Sequence, residues 1–519
     1  MAILNFCFLN ILLTVAILVT FLLLYVKYKR TYWQRRGVPT LPAHWFFGNV
    51  KDAIQFKKSP SIVIGDLHNE ASDNDDVLGI YIFHKPFLLL RNAELIKQIL
   101  IKDFDYFPDR YFTAQSIRDK IGSSNLFTMN NPEWRQMRFL IFKTFIKIMF
   151  MSMVKEFIDE RQFSHDGKTK TIFVRDIALR YTTDIISSVA FGIKVNSCND
   201  LAFIAFFLFF FVKAQEGTRM TFVRAIQFGL MFFFPQFSKW IAGQMLGSST
   251  NYFRKVFWNS MDTRNMMKAK RGDLIDSLID LKNQNDLKLE GDELVSQAAI
   301  FFIAGRESSV TTICLTLYEL AKHPEIQKRT REEIHEKLKE HGMTYEAYQS
   351  MKYLNQVILE TLRLYPPAPL IDRICVKDYK IPGTETVIEK GTPVYVALTG
   401  LHCDPRYFSN PQHFDPDRFS DKNKDNIKQC TYMPFGDGPR VCVGVRLGIL
   451  QSSMALIAIL KDYEISLDPT CNKDGIDVRI YRIIEKYIFS SSSSSSSYTS
   501  ITRNKRECHK GIKNLFNKI

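Results

Sequence analysis

From Phe435 to Gly444 the chain reads Phe-Gly-Asp-Gly-Pro-Arg-Val-Cys-Val-Gly, a glycine-rich turn carrying one soft ligand or nucleophile, Cys442. Gly436 and Gly438 let the backbone turn without a Cβ clash, so successive amide N–H groups can point inward at the sulfur. The following run, Val445 to Leu460, has helical length and apolar content, which puts Cys442 near a helix N-terminus. Both features favour thiolate over thiol, so the pattern predicts an electron-rich sulfur ligand. The plainer reading is a buried structural cysteine behind an ordinary glycine turn.

Such a sulfur suits axial ligation of haem iron, where thiolate donates electron density that favours O–O cleavage. Arg440, two residues before the cysteine, could reach an anionic haem propionate, and Gly444 permits close approach of the backbone to a porphyrin. With these residues in place, the segment resembles the haem-binding loop of the cytochrome P450 superfamily, Phe-x-x-Gly-x-Arg-x-Cys-x-Gly. Every fixed position from Phe435 to Gly444 is filled.

Other residues extend the resemblance. Trp134 and Arg138 are spaced i, i+4 and share one helical face. A surface Trp/Arg stack is the plain reading; the pair is similar to the family's Trp-x-x-x-Arg, which hydrogen-bonds a haem propionate. Ala304, Gly305, Glu307, Ser308 and Ser309 resemble the oxygen-activation segment Ala-Gly-x-Glu-Thr-Ser/Thr. Gly305 costs a helix about 1 kcal/mol against alanine and is expected to loosen the i to i−4 ladder into a groove for oxygen and water. Ser308 stands where the family usually has threonine; it keeps a hydroxyl for proton relay beside Glu307 but lacks the methyl that restricts its rotamer. Arg306 fills a usually apolar position, where a cation could snorkel, pair with an acid or project toward the substrate.

Glu360 and Arg363, i, i+3 on one helix, would ordinarily be a solvated ion pair. Their resemblance to the family's Glu-x-x-Arg implies instead a buried triad with Arg418, from the segment Phe414 to Phe419, that holds the meander before the haem loop. Arg373 occupies the place of a second propionate-binding arginine in the family, a surface strand arginine being the alternative.

These groups need elements to position them. Asp292 to His323 has a long helical pattern, Asp76 to Asn92 alternates apolar and β-branched residues as a small sheet would, and Ala93 to Leu100 has helical spacing. Ala2 to Val26 is apolar, free of ionised side chains and long enough for a bilayer. Lys27, Lys29, Arg30, Arg35 and Arg36 follow, which by the positive-inside rule places the remainder on the cytosolic side as an uncleaved anchor would. Gly37 to Pro42 reads as a stiff connector. Leu201 to Val212 and Phe228 to Pro235 are apolar but too short to span. They are core helices on the plain reading and, by resemblance, a membrane-resting roof over the substrate channel. Phe145 to Thr169 reads as shortened against close relatives. After Lys473 the resemblance stops, with Ile476 to Ile488, eight serines from Ser490 to Ser497 and a basic tail in place of the family's terminal hairpin. The expected organisation is an anchor (1–26), a basic proline-rich linker (27–42), a catalytic domain (43–473) and a divergent, partly disordered tail (474–519).

The 519 residues carry a formal net charge of +15, which fits nucleic acid, an anionic membrane surface or an acidic protein partner. No recognition helix or aromatic stacking platform accompanies it, so no nucleic-acid partner is expected. Lys422, Lys424 and Lys428 could meet an acidic reductase, a solvated charge run being the plainer reading. Nine scattered cysteines without C-x-x-C pairs point to reduced thiols in a cytosol-facing domain.

The resemblance, nearest to insect microsomal family-6 type monooxygenases, implies a mainly α haem-thiolate fold with a small β-rich region and an N-terminal transmembrane helix. It implies haem b (iron protoporphyrin IX) ligated by Cys442 and held at its propionates by Trp134, Arg138, Arg373 and Arg440, with Glu307 and Ser308 as proton relay. It further implies electrons from NADPH–cytochrome P450 reductase, with cytochrome b5 as a second donor, at the endoplasmic reticulum membrane, for oxygenation of lipophilic xenobiotics or endogenous lipids and hormones. Two rival readings stand beside it. A reductase-independent haem-thiolate isomerase or dehydratase commonly loses the acid–hydroxyl pair that Glu307 and Ser308 retain. A noncatalytic haem-binding product would follow from the atypical C-terminus.

Overall fold

The computed structural model describes residues 2–112, 119–139, 174–192, 249–267, 270–283, 291–467 and 480–485. Phe145–Thr169, Leu201–Val212, Phe228–Pro235 and Ser490–Ser497 lie outside the described residues. Helix α1 (Ala2–Arg30) carries the apolar run and ends in Lys27, Lys29 and Arg30. Helix α2 (Pro60–Glu70) starts where the Ser59 hydroxyl accepts from the Ile62 N–H. The predicted strands form a hairpin, β1 (Val77–Ile82) and β2 (Lys85–Leu90), with Val77 opposite Leu90. The helix expected to reach Leu100 ends at Lys97, and a π-helical turn, Gln98–Lys102, continues it.

Helices α3 (Val174–Phe191) and α4 (Asp292–Lys322) make the central crossing. Among the described residues, α1 and α4 are apolar enough and long enough to cross a bilayer; the apolar window of α1 is unburied, whereas most of that of α4 is core. Leu294, Val295, Ala298 and Phe302 of α4 pack with Ile186, Val189 and Phe253. Further along, Val310, Ile313 and Leu317 pack with Leu354, Val357 and Ile358 of α5 (Lys352–Leu364) and with Leu456 and Ile457. The stretch Gly305–Ser309 interrupts these two apolar faces. The helix runs unbroken through Gly305. Its use is close packing, since a Cβ there would stand 2.6 Å from Ile186 Cδ1 on α3.

Beyond α5 come β3 (Leu370–Ile374), the short pair β4 (Tyr379–Lys380) and β5 (Val387–Ile388), and β6 (Pro393–Ala397). The main sheet has the order β1-β2-β6-β3, with β2 and β6 parallel and the other pairs antiparallel. Helix α6 (Val445–Leu460) leads into β7 (Tyr463–Leu467), which pairs antiparallel with β8 (Ile480–Glu485). The sequence pattern had assigned 480–485 to the divergent tail; the chain there adds a strand to the fold.

Glu360 and Arg363 are fully buried on α5 and joined by two hydrogen bonds, at 2.7 and 2.8 Å. Arg418 Nε approaches Glu360 Oε1 at 3.4 Å, and the Asp415 N–H donates to the same oxygen at 2.9 Å. Arg363 also donates to the carbonyls of His402 and His413. The three predicted partners thus meet and fasten two separate loops to one helix. Glu360→Ala would leave a buried guanidinium without its carboxylate and is expected to cost about 3–5 kcal/mol. Thermal unfolding of the purified variant checks this, with a midpoint close to wild type counting against a structural role.

Candidate active site

The loop before α6 is shaped by two glycines at left-handed φ, Gly436 (74°) and Gly438 (71°). At Gly438 the need is also steric, because a Cβ would lie 2.2 Å from the Leu100 carbonyl oxygen. Asp437 accepts from the Gly438 N–H at 2.7 Å, and a 3-10 turn, Gly438–Arg440, follows. The Cys442 N–H donates to the Phe435 carbonyl at 2.9 Å and closes the loop. Sγ accepts from the Gly444 N–H at 3.3 Å.

The sequence pattern predicted a ring of amides inclining the sulfur to thiolate. Among the described residues, Gly444 supplies the backbone N–H that reaches it, and the residue is exposed at a cavity. Burial pushes the Cys442 thiol pKa up, against the opposing pull of Gly444, Arg138 and Arg110. The sulfur opens onto a cavity walled by Leu126, Phe127, Ile300, Phe301 and Ala304, with Trp134, Arg138 and Arg440 at its side.

Four guanidiniums gather near this cavity. Arg138, on the helical segment 133–139, donates to the Val441 carbonyl at 2.7 Å. Arg440 donates to the carbonyls of Pro108 and Met129 and lies 4.1 Å from the Trp134 ring. Arg373, on β3, donates to the Asp372 carbonyl at 2.7 Å and is buried, so it is no surface strand arginine. The fourth, Arg110, was not marked by any motif; it pairs with Asp372 at 3.0 Å and also lines the cavity. The available signal was the repeated dipeptide Asp109-Arg110 and Asp372-Arg373. Its members pair across the fold, with Asp372 on Arg110 and Asp109 at 3.5 Å from Arg440.

Burial first, and then mutual repulsion with Arg110, pulls the pKa values of Arg373 and Arg440 down to about 9. Arg138 is lowered chiefly by burial. Arg110 Nε, Arg373 Nε and Arg440 Nη1 are buried without a hydrogen-bond partner among the described residues. Among the described residues, four cations against two carboxylates, with orphaned donors, are suited to a dianionic group; haem, with two propionates, fits that chemistry.

Across the cavity, Ser308 donates its hydroxyl to the Ala304 carbonyl at 2.6 Å. Glu307 is held by two arginines, Arg306 at 3.2 Å and Arg175 of α3 at 3.3 Å. Of the outcomes open to Arg306, pairing with an acid is realised. Its side chain is 1% exposed, and Nε donates to Thr183 Oγ1 on α3 at 3.1 Å. Sequence spacing could not reveal Arg175 or Thr183, which lie more than a hundred residues from Glu307.

His402 links the Glu360–Arg363 pair to the cysteine loop. Its Nδ1–H donates to the Arg363 carbonyl at 3.1 Å, and Nε2 accepts from the Met433 N–H at 2.9 Å. That arrangement requires the neutral ring, and burial lowers its pKa to about 3. Among the cations ahead of the loop, Lys424 pairs with Asp421 and Lys428 with Glu94.

The sequence model of the family described as Cytochrome P450 matches residues 38–489, a span that includes β8. The chain is 39% identical over 485 residues to cytochrome P450 6k1 of Blattella germanica, covering 88% of this chain and 91% of that protein. It is 34% identical over 515 residues to probable cytochrome P450 6g2 of Drosophila melanogaster, covering 91% and 98%. To cytochrome P450 6l1 of Blattella germanica it is 36% identical over 459 residues, covering 87% and 90%.

Gly438→Ala meets both a left-handed φ and a backbone oxygen and is expected to lose about 2 kcal/mol or more. Gly436→Ala, whose nearest obstacle is Arg440 O at 4.0 Å, should lose only the backbone strain, about 1 kcal/mol. Unfolding midpoints of the two variants give the comparison. His402 yields a pH dependence with a definite sign. Its folded pKa is depressed to about 3, so as pH falls below about 6.5 the unfolded chain takes up a proton that the native ring refuses. Stability from this group is complete above that pH and lost on acidification, with a limiting slope of about 1.4 kcal/mol per unit. In His402→Gln the unfolding free energy should be lower at neutral pH and fall less steeply between pH 6.5 and 5.

Proposed function

Because the chain belongs to the cytochrome P450 family and is thereby an oxidoreductase of the haem-thiolate monooxygenase type, we propose that it inserts one oxygen atom of O2 into a lipophilic small molecule with electrons from NADPH. The donor is NADPH–cytochrome P450 reductase, with cytochrome b5 as an auxiliary. The cofactor is haem b. The site is the cytosolic face of the endoplasmic reticulum membrane, with α1 as anchor. The observation that carries this reading is the single cavity in which Cys442 faces Ala304, with four arginines gathered beside it.

When bound, haem supplies the reduction and cleavage of O2, one atom going to substrate and the other leaving as water. Cys442 Sγ ligates the iron, and the Gly444 N–H tempers its charge. Arg110, Arg138, Arg373 and Arg440 bind the propionates and thereby orient the ring. The apolar wall of Leu126, Phe127, Ile300 and Phe301 takes the substrate and excludes bulk water. Water formation consumes protons, which a wall of that kind cannot provide. Glu307, whose side chain is about one-third exposed, collects them from solvent, and the Ser308 hydroxyl passes them on by rotating from the Ala304 carbonyl into the cavity. Arg306 and Arg175 keep Glu307 at the seam between α3 and α4, so its carboxylate stays at the solvent end of that relay.

The reduced protein with carbon monoxide is expected to give the strongly red-shifted Soret band of thiolate ligation. Cys442→Ala should lose that band and all reductase-supported turnover. A wild-type protein without the band would overturn the assignment, whereas a band without turnover on any lipophilic substrate would favour a noncatalytic haem protein. Glu307→Gln should keep the band yet lower product formed per unit time by roughly tenfold or more. Ser308→Thr, with a restricted rotamer, should raise the fraction of NADPH that ends in product, measured against peroxide release.

A further inference from the structure

A larger cavity than that at Cys442, about 520 Å³, lies where α1 meets the linker. Its apolar wall is Leu23, Val26 and Trp45; its polar wall is Lys27, Arg30 and Gln34. Among the described residues, no carboxylate lines it. The cations after the apolar run divide according to whether they face it. Outside, Arg36 is paired with Glu389, and Arg35 lies 3.9 Å from the Tyr28 ring while donating to the Tyr28 carbonyl. Inside, Arg30 donates through Nη2 to the Ala43 carbonyl at 2.7 Å, and its buried Nε has no hydrogen-bond partner among the described residues. Neither Lys27 nor Arg30 meets a carboxylate among the described residues.

The surroundings identify what would complete the charge. The apolar length of α1 leading to the cavity is unburied, and Trp45 and Phe46 beside it are 63% and 51% exposed. Exposed aromatics at the end of an apolar span are at home at the level of lipid headgroups. A soluble anion would satisfy Lys27 and Arg30 but leave Leu23, Val26 and Trp45 in contact with water.

We propose that this cavity holds one anionic phospholipid, its phosphate between Lys27 and Arg30 and its acyl chains along α1. This rests on the reading of α1 as a membrane anchor. Neutral phospholipids, whose phosphate carries its own choline cation, should compete poorly for two adjacent cations.

The test uses the full-length protein, extracted from membranes and reconstituted in bilayer nanodiscs of phosphatidylcholine with 20% phosphatidic acid, on the order of the anionic content that gives measurable surface attraction. Lipid retained after detergent release is counted by native mass spectrometry. Wild type should keep one phosphatidic acid in preference to phosphatidylcholine. Lys27→Gln/Arg30→Gln should reduce that retention roughly thirtyfold, each of the two basic residues being worth about 1 kcal/mol near an anionic lipid. Lys29→Gln/Arg35→Gln removes the same charge outside the cavity and should retain lipid as wild type does. Equal loss in both double variants, equal retention of phosphatidylcholine, or displacement by inorganic phosphate would overturn the proposal. Vesicle flotation separates the underlying reading: wild type that fails to float refutes the anchor itself, whereas floating protein without selective retention refutes only the lipid site.

Discussion

Two loops with little regular structure of their own are held by one buried ion pair. Glu360 and Arg363 are both fully buried, and a pair so placed is tolerable only because every remaining valence is used. Arg363 reaches the carbonyls of His402 and His413, and Glu360 takes the Asp415 N–H. His402 returns a hydrogen bond to Arg363 and accepts one from Met433, two residues before the loop that begins at Phe435. The position of Cys442 is therefore set by charge buried on a helix that never touches the sulfur. Apolar packing alone would leave the segment 402–433 with unmatched backbone groups, since it has few strands or helices to pair them.

The same economy of charge is inverted at the cavity. Arg110, Arg138, Arg373 and Arg440 are more cationic together than Asp109 and Asp372 can balance, and two of them are pulled down to about 9. Cys442 is meanwhile pushed toward the neutral thiol. Each imbalance has the sign that a dianionic, metal-bearing ring would correct, because propionates answer the arginines and a metal cation answers the sulfur.

On the opposite wall, the crossing of α3 and α4 decides the chemistry available. Gly305 lets Ile186 come close, and the closeness brings Arg175 and Thr183 to the two residues that follow the glycine. Arg306 is buried at this crossing because Thr183 and Glu307 receive its guanidinium. An arginine that sequence pattern marks as out of place becomes a brace for the neighbouring acid.

By itself the sequence determined the ligand loop, the helix after it, the long helix opposite and the hairpin near residue 80. In each case the signal is local: glycines where φ must be positive, apolar residues at helical period, alternation in a strand. The pairing of Glu360, Arg363 and Arg418 was also legible, through spacing and resemblance. Only the tertiary structure decided that Arg110 joins the cavity, that His402 transmits the buried pair to the loop, that Gly305 admits Ile186, and that β8 pairs with β7. These depend on contacts between residues far apart in the chain, and electrostatics acts through the distances folding creates, about which linear order is silent.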